Sequence, residues 1–436
     1  MPKPFTLFEH QCEPFSWSDR DLAQLARMQE ATKTEVLRAT TRHGKRAIKA
    51  FQHVGVVRLG NRTIQVLPKM YKESTTEKGK AKEATANLLR MLAYAGELSV
   101  REYEIASLMR HADDWFEILT HLFATHLRKE WQRGAYRTYQ LINARLPVLK
   151  GKWGIAEQLK HPDQRHVFAV EFDEFTADNR LNRVFRFVVE RLYKLTNDYD
   201  NRKLLGELRQ WMEEVTLVPI TESDASPAQL TRLNENYRPL LNLARVFLDG
   251  GSLNFAAGDL STFTFVFDMN QLFEKFTAEF IRRNSNEILP ETLRRCEFLP
   301  QTRGATLHLA TQAEKKVFQT KPDIAFRDHC QFRLLIDTKY KRLIDADRKL
   351  GVSQADFYQM HAYAHRYSCT RVMLLYPQFA GTPVLPRKPF RLETNDGYVV
   401  EVGAVDLCLN LNSQSERKEL IKQFKTLFSQ EYADEL

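Results

Sequence analysis

Two aspartates and a lysine in one short segment are the residues of this sequence best suited to chemistry. Residues 322 to 339 contain a Pro-Asp pair that ends at Asp323, and they close with an apolar run that leads into Asp337, Thr338 and Lys339. Two carboxylates and one lysine at such spacing are typical of sites that bind a divalent cation beside a phosphate.

The apolar residues of this segment form two short runs, 324–326 and 332–336. Neither the runs nor the polar residues 328–331 between them have helical periodicity. Two β-strands joined by a short loop are therefore predicted.

The predicted hairpin brings the two carboxylates together. If the chain folds about Cys330, Asp323 lies opposite Asp337, with facing β-carbons roughly 5 Å apart. Like charges this close are destabilising unless a cation offsets them, and ligation by oxygen alone favours Mg²⁺ or Mn²⁺ over zinc. Lys339 shares a strand face with Asp337, where it would orient a water and offset charge that develops on a phosphate. The alternative is a surface hairpin with solvated charges.

A helix is predicted before the hairpin, over residues 268–283. Its apolar residues recur at i, i+3, i+4, i+7 and i+11, and Asp268 is a suitable N-cap. Glu274 lies away from the apolar stripe. Periodicity alone favours a solvent-facing Glu274 over one that faces the hairpin.

A second helix is predicted after the hairpin, over residues 353–367, with Ser353 as its cap. Gln359 and Tyr363 are four residues apart and share one face. Such a face suits contact with a phosphate backbone or a base, and it equally suits a half-buried helix with a tyrosine edge. Residues 372–376 then form an apolar strand that Pro377 is predicted to close.

This order of motifs resembles the PD-(D/E)xK nuclease superfamily, in the version of RecB-type nucleases that carry a Gln-x-x-x-Tyr helix. Residues 268–276 and 356–363 more narrowly resemble the McrC family, the nuclease subunit of McrBC modification-dependent restriction systems. Further segments similar to that family are 64–69, 146–152, 170–183 and 237–244.

The resemblance implies a role for each motif residue. Asp323 and Asp337 would bind Mg²⁺ together with the backbone carbonyl of Thr338, and Lys339 would orient the attacking water. Glu274 would assist the metal site or act as a base. Gln359 and Tyr363 would contact the strand of double-stranded DNA that is cut.

The resemblance also implies a partner, a McrB-like hexameric GTPase of the AAA+ type that this chain docks on and stimulates. Choice of methylated DNA and hydrolysis of GTP would belong to that partner. The Gly-Lys pairs at 44–45, 79–80 and 151–152 are followed by Arg, Ala and Trp, so none of them is a P-loop. The alternative function is a regulatory or assembly subunit that activates the partner and has little nuclease activity alone.

Composition indicates an ordinary globular protein of 436 residues, long enough for two or three domains. No run approaches 18 apolar residues and no apolar signal region begins the chain, so neither membrane insertion nor secretion is predicted. Five scattered cysteines without a C-x-x-C pair favour reduced thiols, a cytoplasmic location and no structural zinc.

Most of the net charge of +9 comes from the first 80 residues, which contain 15 Lys/Arg and 8 Asp/Glu. The densest basic cluster is Arg42, Lys45, Arg46 and Lys49. Such a cluster attracts phosphates or an acidic partner protein with equal plausibility. The McrC resemblance makes it the candidate docking surface for the GTPase.

The predicted fold is a multidomain α/β protein in three parts. Residues 1–78 form a basic α+β domain with a β-hairpin over 47–68; residues 79–255 are mainly helical with a short β segment near 166–173; residues 256–436 form a PD-(D/E)xK core, a central mixed sheet flanked by helices. Within these parts we predict strands at 47–59 and 63–67, loops at 72–82 and 223–229, and helices at 83–95, 112–133, 180–194 and 203–215.

Overall fold

The structure is a computed structural model. It describes residues 4–32, 34–60, 62–71, 77–98, 100, 104–105, 108, 114–161, 163–164, 166–220, 222–226, 230–249, 262–301, 306–380, 382, 388–393, 397–411 and 413–429.

The described chain contains both strands and helices, often in runs of one kind. The strands are β1 Phe5–Phe8, β2 Cys12–Pro14, β3 Leu37–Arg42, β4 Lys45–Ala50, β5 His53–Leu59, β6 Arg62–Leu67, β7 Thr138–Leu146, β8 Lys152–Trp153, β9 Phe168–Thr176, β10 Thr262–Asp268, β11 Glu297–Pro300, β12 Leu307–Gln312, β13 Lys315–Thr320, β14 Ile324–Asp328, β15 Gln331–Thr338, β16 Arg371–Gln378, β17 Lys388–Arg391 and β18 Val399–Asp406. The α-helices are α1 Asp19–Thr32, α2 Glu77–Tyr94, α3 Trp115–Arg133, α4 Ile155–Leu159, α5 Arg180–Leu195, α6 Tyr199–Trp211, α7 Arg238–Asp249, α8 Met269–Arg283, α9 Ser285–Ile288, α10 Glu291–Arg294, α11 Gln354–Arg366 and α12 Gln414–Phe428.

The N-terminal region contains two sheets, with strand orders β1-β6-β5-β10 and β2-β4-β3. The prediction of one long strand over 47–59 is wrong, because the chain leaves β4 in one sheet and enters β5 in the other. Strands β5 and β6 do form an antiparallel hairpin, as predicted for this part of the chain. Strand β10 comes from the far side of the central region and completes the first sheet beside β5.

Gly55 makes the pairing of β5 with β10 possible. Its φ is +135°, and a Cβ at this position would lie 2.0 Å from the carbonyl oxygen of Phe265 on β10. Only glycine fits such a close approach between two backbones.

The central region is less purely helical than predicted. Strand β9 extends to Thr176, beyond the predicted β segment at 166–173, and pairs with β7 and β8 in a three-stranded sheet. Successive side chains of β7 point to two faces that are both partly exposed. Its sequence therefore lacks the fully apolar run by which a buried strand is recognised.

Several helix boundaries also differ from their predictions. Helix α2 begins at Glu77, so the predicted loop over 72–82 is wrong from that residue onward, and residues 72–76 lie outside the described chain. Helix α6 begins at Tyr199 because the Asp198 carboxylate accepts a hydrogen bond from the Asn201 backbone N–H, and it ends at Trp211. In the predicted loop over 223–229, a 3₁₀ turn covers Glu222–Ala225, whereas residues 227–229 lie outside the described chain.

The C-terminal region is built on a six-stranded mixed sheet with the order β11-β14-β15-β16-β18-β17. Alternate residues of its central strands face opposite layers. Ile324 and Ile336 pack with residues of α8 and α12, whereas Ala325 and Leu335 pack with residues of α11. The predicted helix over 268–283 and its Asp268 N-cap are present, since that side chain accepts from the Asn270 backbone N–H.

Strand β16 continues through Pro377 to Gln378, so the prediction that Pro377 closes this strand is wrong. The pairing of β16 with β15 ends at Leu375, and only β18 accompanies β16 beyond that point. A proline is tolerated where one side of a strand has no ladder partner.

The regions predicted as separate domains share structural elements. The predicted boundary at 78/79 falls inside α2, and β10 belongs to the N-terminal sheet although it follows the boundary at 255/256. One hydrophobic core runs from β5 through the central helices to α12. Within the described residues, none of the helices has the length and apolar character that crossing a bilayer requires.

Candidate metal and phosphodiester site

The hairpin that carries the two aspartates consists of β14 and β15. Ile324 pairs with Ile336, so Asp323 and Asp337 occupy the next positions along the two strands, as the alternation predicted. The connection is a tight turn at His329 and Cys330, with His329 at φ 51°. The predicted loop between the strands is therefore shorter than expected, because Asp328 and Gln331 belong to the strands.

Thr338 fixes the carboxylate of Asp323. The backbone N–H and the hydroxyl of Thr338 both donate to Asp323 Oδ2, each at 2.6 Å. Burial raises the pKa of Asp323, although the hydrogen bonds from Thr338 and the charge of Lys339 act in the opposite direction. Thr338 thus orients the Asp323 carboxylate, but burial still disfavours its ionised form.

Asp337 is only 2% exposed. Burial and the negative charge of Asp323 raise its pKa to about 7, and the ammonium of Lys339 offsets part of this effect. Lys339 Nζ lies 2.6 Å from Asp337 Oδ2. The two aspartates therefore form a buried acidic pair whose charge one lysine only partly balances.

The ammonium of Lys339 is held between the acidic pair and α11. It donates to Gln359 Oε1 at 2.9 Å, and Asp356 Oδ1 lies 3.9 Å away. Burial opposes its charged form, but the surrounding carboxylates, Asp337 foremost, raise the pKa of Lys339 overall. The lysine is therefore protonated and fixed in position.

Helix α11 supplies the polar residues around Lys339. The predicted Ser353 N-cap is present, and its side chain accepts from the Asp356 backbone N–H. Gln359 Nε2 donates to the Tyr363 hydroxyl at 2.7 Å, and burial raises the pKa of Tyr363. Tyr363 is only 5% exposed and packs in the core beneath α11. Gln359 turns its amide oxygen toward Lys339.

Glu274 faces the acidic pair and not bulk solvent, contrary to the expectation from periodicity. It is half-buried on α8, and burial together with the charge of Asp323 raises its pKa. The Gln301 side chain hydrogen-bonds to it and acts in the opposite direction. Glu274, Gln301 and Asp323 line one cleft of about 650 Å³ beside the hairpin.

The donor set at this hairpin fits Mg²⁺. Among the described residues, no three His, Cys, Asp or Glu side chains converge as a complete metal-binding cluster. Mg²⁺ is commonly bound by one or two carboxylates, with waters and substrate phosphate as its remaining ligands. The buried excess of negative charge at Asp323 and Asp337 is the feature that a divalent cation would neutralise.

Sequence reasoning missed several residues around the site. Lys341 Nζ donates to Asp356 at 2.7 Å, and the Tyr340 hydroxyl donates to the buried carboxyl of Glu9 at 2.8 Å. Gln301 reaches Glu274 from the end of β11. Of these residues, only Asp356 could have been found from local sequence, because it lies three residues after the predicted Ser353 cap, where a side chain commonly takes part in capping.

The predicted docking residues lie on a second hairpin, formed by β3 and β4. Arg42 pairs with Lys45 on either side of a two-residue turn, and Arg46 and Lys49 follow on β4. Arg46 is anchored by a hydrogen bond to the Trp17 carbonyl. Arg42, Lys45 and Arg46 thus lie at the exposed turn end of the hairpin, whereas Lys49 is half-buried further along β4.

Comparison with known proteins identifies a matching family and similar solved structures. The model of the McrBC 5-methylcytosine restriction system component family matches residues 48–377. One similar solved structure is a refined half-complex from the tetradecameric assembly of Thermococcus gammatolerans McrB AAA+ hexamers with bound McrC. The matching chain is 22% identical in sequence, with a TM-score of 0.72, and the match covers 97% of this chain and 98% of that one. This likeness shows the fold. A chain of the T. gammatolerans McrBC complex is 27% identical, with a TM-score of 0.51 over 65% and 88% of the two chains.

No curated protein matches the chain. The family model nevertheless covers most of its 436 residues, and the McrC-type motifs lie within or beside the matched range. The chain therefore belongs to the McrBC 5-methylcytosine restriction system component family, as its McrC-like motifs predicted.

Proposed function

We propose that this chain is the Mg²⁺-dependent DNA endonuclease subunit of a McrBC-like restriction complex, with a C-terminal core of the PD-(D/E)xK type. The observation that carries the proposal is the buried acidic pair of Asp323 and Asp337, with Lys339 Nζ 2.6 Å from Asp337. Mn²⁺ would substitute for Mg²⁺, since both favour oxygen ligands.

Asp323 and Asp337 would hold the cation, together with the backbone carbonyl of Thr338. When bound, the cation supplies Lewis-acid polarisation of the phosphate and a more acidic water. Thr338 contributes a second time, because its two hydrogen bonds keep Asp323 in the orientation required.

Lys339 would orient the attacking water and stabilise charge on the phosphate oxygens. The water oxygen forms a new bond to phosphorus, the bond from phosphorus to the leaving sugar oxygen breaks, and that oxygen gains a proton. Gln359 and Tyr363 position Lys339 through a hydrogen-bonded chain, and the predicted contact of these two residues with DNA would be made from the same face of α11.

Glu274 would accept a proton from water or complete the metal site. Burial and the charge of Asp323 raise its pKa, which makes the ionised carboxylate a stronger base for such a transfer. Both roles require Glu274 to face Asp323, and the lining of the cleft provides that arrangement.

We further propose that the chain docks on a hexameric AAA+ GTPase of the McrB type and stimulates it in the cytoplasm. GTP would be bound by the partner and not by this chain, and the choice of methylated DNA would also belong to the partner. The similar T. gammatolerans chains come from McrB–McrC assemblies, which supports this proposal.

Two surfaces are suited to docking. One is the basic hairpin of β3 and β4, with Arg42, Lys45, Arg46 and Lys49. The other is the sheet β7-β9-β8 with α4: half of the exposed large apolar side chains of the described residues lie between 139 and 175. Apolar patches of this kind commonly mark protein–protein contacts.

The proposal is tested by a cleavage assay with Mg²⁺, GTP and the cognate GTPase on methylated and unmethylated DNA. We expect the wild-type chain to cut, and Asp337→Asn and Lys339→Ala each to abolish cutting while stimulation of the GTPase is retained. Asp345→Asn, a change of an exposed aspartate outside the site, is the matched control. Cutting that survives both site substitutions refutes the assignment, and stimulation without wild-type cutting favours the alternative of a mainly regulatory subunit.

A further inference from the structure

The cleft beside the acidic pair extends along one face of α8. Its lining includes Asp323 and Glu274 and continues over Ala278 to Arg282 and Arg283. Glu274, Ala278 and Arg282 are spaced by four residues and therefore form one ridge of the helix. The cleft thus runs from the acidic residues Asp323 and Glu274 to a basic end, which consists of Arg282 and Arg283.

The basic end carries uncompensated positive charge. Arg282 and Arg283 both bind Glu279, at 2.7 Å and 2.6 Å, so two guanidinium groups share one carboxylate. Their side chains are 60% and 42% exposed. Exposed ion pairs are weak, so both groups can turn to an incoming anion at small cost.

Small and apolar side chains also line the cleft, whose volume is about 650 Å³. Ala278 is the small residue at the middle of the ridge, and Phe298 and Pro300 of β11 contribute apolar surface. The Arg283 guanidinium lies 4.7 Å from the centre of the Tyr94 ring. This contact holds the guanidinium against the ring while its Nε–H donates to Glu279.

The spacing along α8 corresponds to a few nucleotides. Eight residues separate Glu274 from Arg282, which is about 12 Å along a helix axis. A nucleic-acid strand advances about 3.4 Å per nucleotide, so Arg282 lies roughly three or four nucleotides from Glu274, which lines the cleft together with Asp323.

We propose that this α8 cleft binds the DNA strand flanking the scissile phosphodiester, with Arg282 and Arg283 contacting one of its backbone phosphates. The inference rests on the proposed nuclease function and adds to it the surface along which the DNA substrate is bound. A phosphodiester backbone is favoured over an acidic peptide, because the cleft is continuous with the residues that would hold the reacting phosphate.

The test measures DNA affinity against salt concentration. Asp337→Asn serves as the parent chain so that the DNA remains uncut, and the probe is a fluorescent 30-base-pair duplex added to the complex with the GTPase. Removal of both guanidinium groups in Arg282→Gln/Arg283→Gln should weaken binding about tenfold or more. The slope of log K against log salt should fall by about 1 to 2.

Two further variants serve as controls for this result. Arg295→Gln removes an exposed arginine that pairs with Glu291 in the same i,i+4 arrangement as Arg283 with Glu279, and it should leave affinity and slope unchanged. Arg282→Lys/Arg283→Lys should restore the slope, since the charge returns.

The inference is overturned if the Gln/Gln variant binds DNA as Arg295→Gln does. Loss of GTPase stimulation with unchanged DNA affinity also overturns it, because the arginines would then face the protein partner. Failure of the proposed function has a different signature: wild-type chain that does not cut, or Asp337→Asn that still cuts, whatever the salt slope.

Discussion

Asp337 and Glu9 are buried carboxyl groups with a pKa raised to about 7. Asp337 belongs to the acidic pair, where a divalent cation would neutralise it. Glu9 accepts on a single oxygen, Oε2, from the Tyr340 hydroxyl at 2.8 Å and from the Lys69 backbone N–H at 2.9 Å. It joins the N-terminal sheet to the residue that follows Lys339.

The raised pKa of Glu9 makes stability depend on pH. Burial is the main cause of the shift from 4.5 to about 7, so the unfolded chain ionises first. The contribution of Glu9 is present below pH 4.5 and is lost as the pH rises toward 7, by up to ~3 kcal/mol. Glu9→Gln keeps an oxygen that accepts both hydrogen bonds and removes this loss.

We therefore expect Glu9→Gln to be more stable than the wild type at pH 8 and close to it at pH 4.5. Chemical denaturation at both pH values measures the difference. Glu213→Gln, at an exposed position just after α6, is the control and should track the wild type. An equal effect of Glu9→Gln at the two pH values would contradict the account.

At the scale of elements, the contact between β5 and β10 depends on Gly55. Gly55→Ala would bring a Cβ to 2.0 Å from the Phe265 carbonyl oxygen and would also strain a φ of +135°. Gly44, in the β3–β4 turn, has a φ of +74° and nothing within 4 Å of a built Cβ. It therefore isolates the effect of φ from the effect of contact.

We expect Gly55→Ala to lower the free energy of unfolding by more than Gly44→Ala, which should cost about 1–2 kcal/mol. Urea denaturation of both variants makes the comparison. Equal losses would mean that β10 shifts to accommodate the methyl group and that its pairing with β5 is not tight.

Local elements and the hairpin register could be predicted from the sequence, because their causes are local. Asp268 and Ser353 cap helices through neighbours a few residues away, and alternation along 324–338 sets which side chains face each other. The approach of Glu9 to Tyr340 joins residues 331 apart, and the pairing of β5 with β10 is similarly distant. Such contacts leave no periodic signal, so neither the orientation of Glu274 nor the shared N-terminal sheet could be derived from spacing.

At the scale of the whole molecule, the N-terminal region is part of the common core. Removal of residues 1–80 would take away β5, the neighbour of β10. Docking is therefore tested by surface substitutions in the full chain and not by truncation.

We expect Arg42→Glu/Lys45→Glu to reduce stimulation of the GTPase at least tenfold, because charge reversal disfavours an acidic partner. Tyr139→Ser/Phe175→Ser removes an exposed aromatic pair, with ring centres 5.0 Å apart, and should have a similar effect if the apolar sheet docks. Leu233→Ser, at an 86% exposed position elsewhere, is the control. GTPase rates at saturating GTP measure all three; full stimulation by the first two variants would refute docking at both surfaces.

The most direct test of the central claim is anomalous diffraction from crystals of the chain soaked in Mn²⁺. The account predicts one anomalous peak between the carboxylates of Asp323 and Asp337, at a coordination distance of about 2.1 Å, and its absence in Asp337→Asn. A peak at other residues, with none at the acidic pair, would contradict the assignment of this hairpin as the metal site.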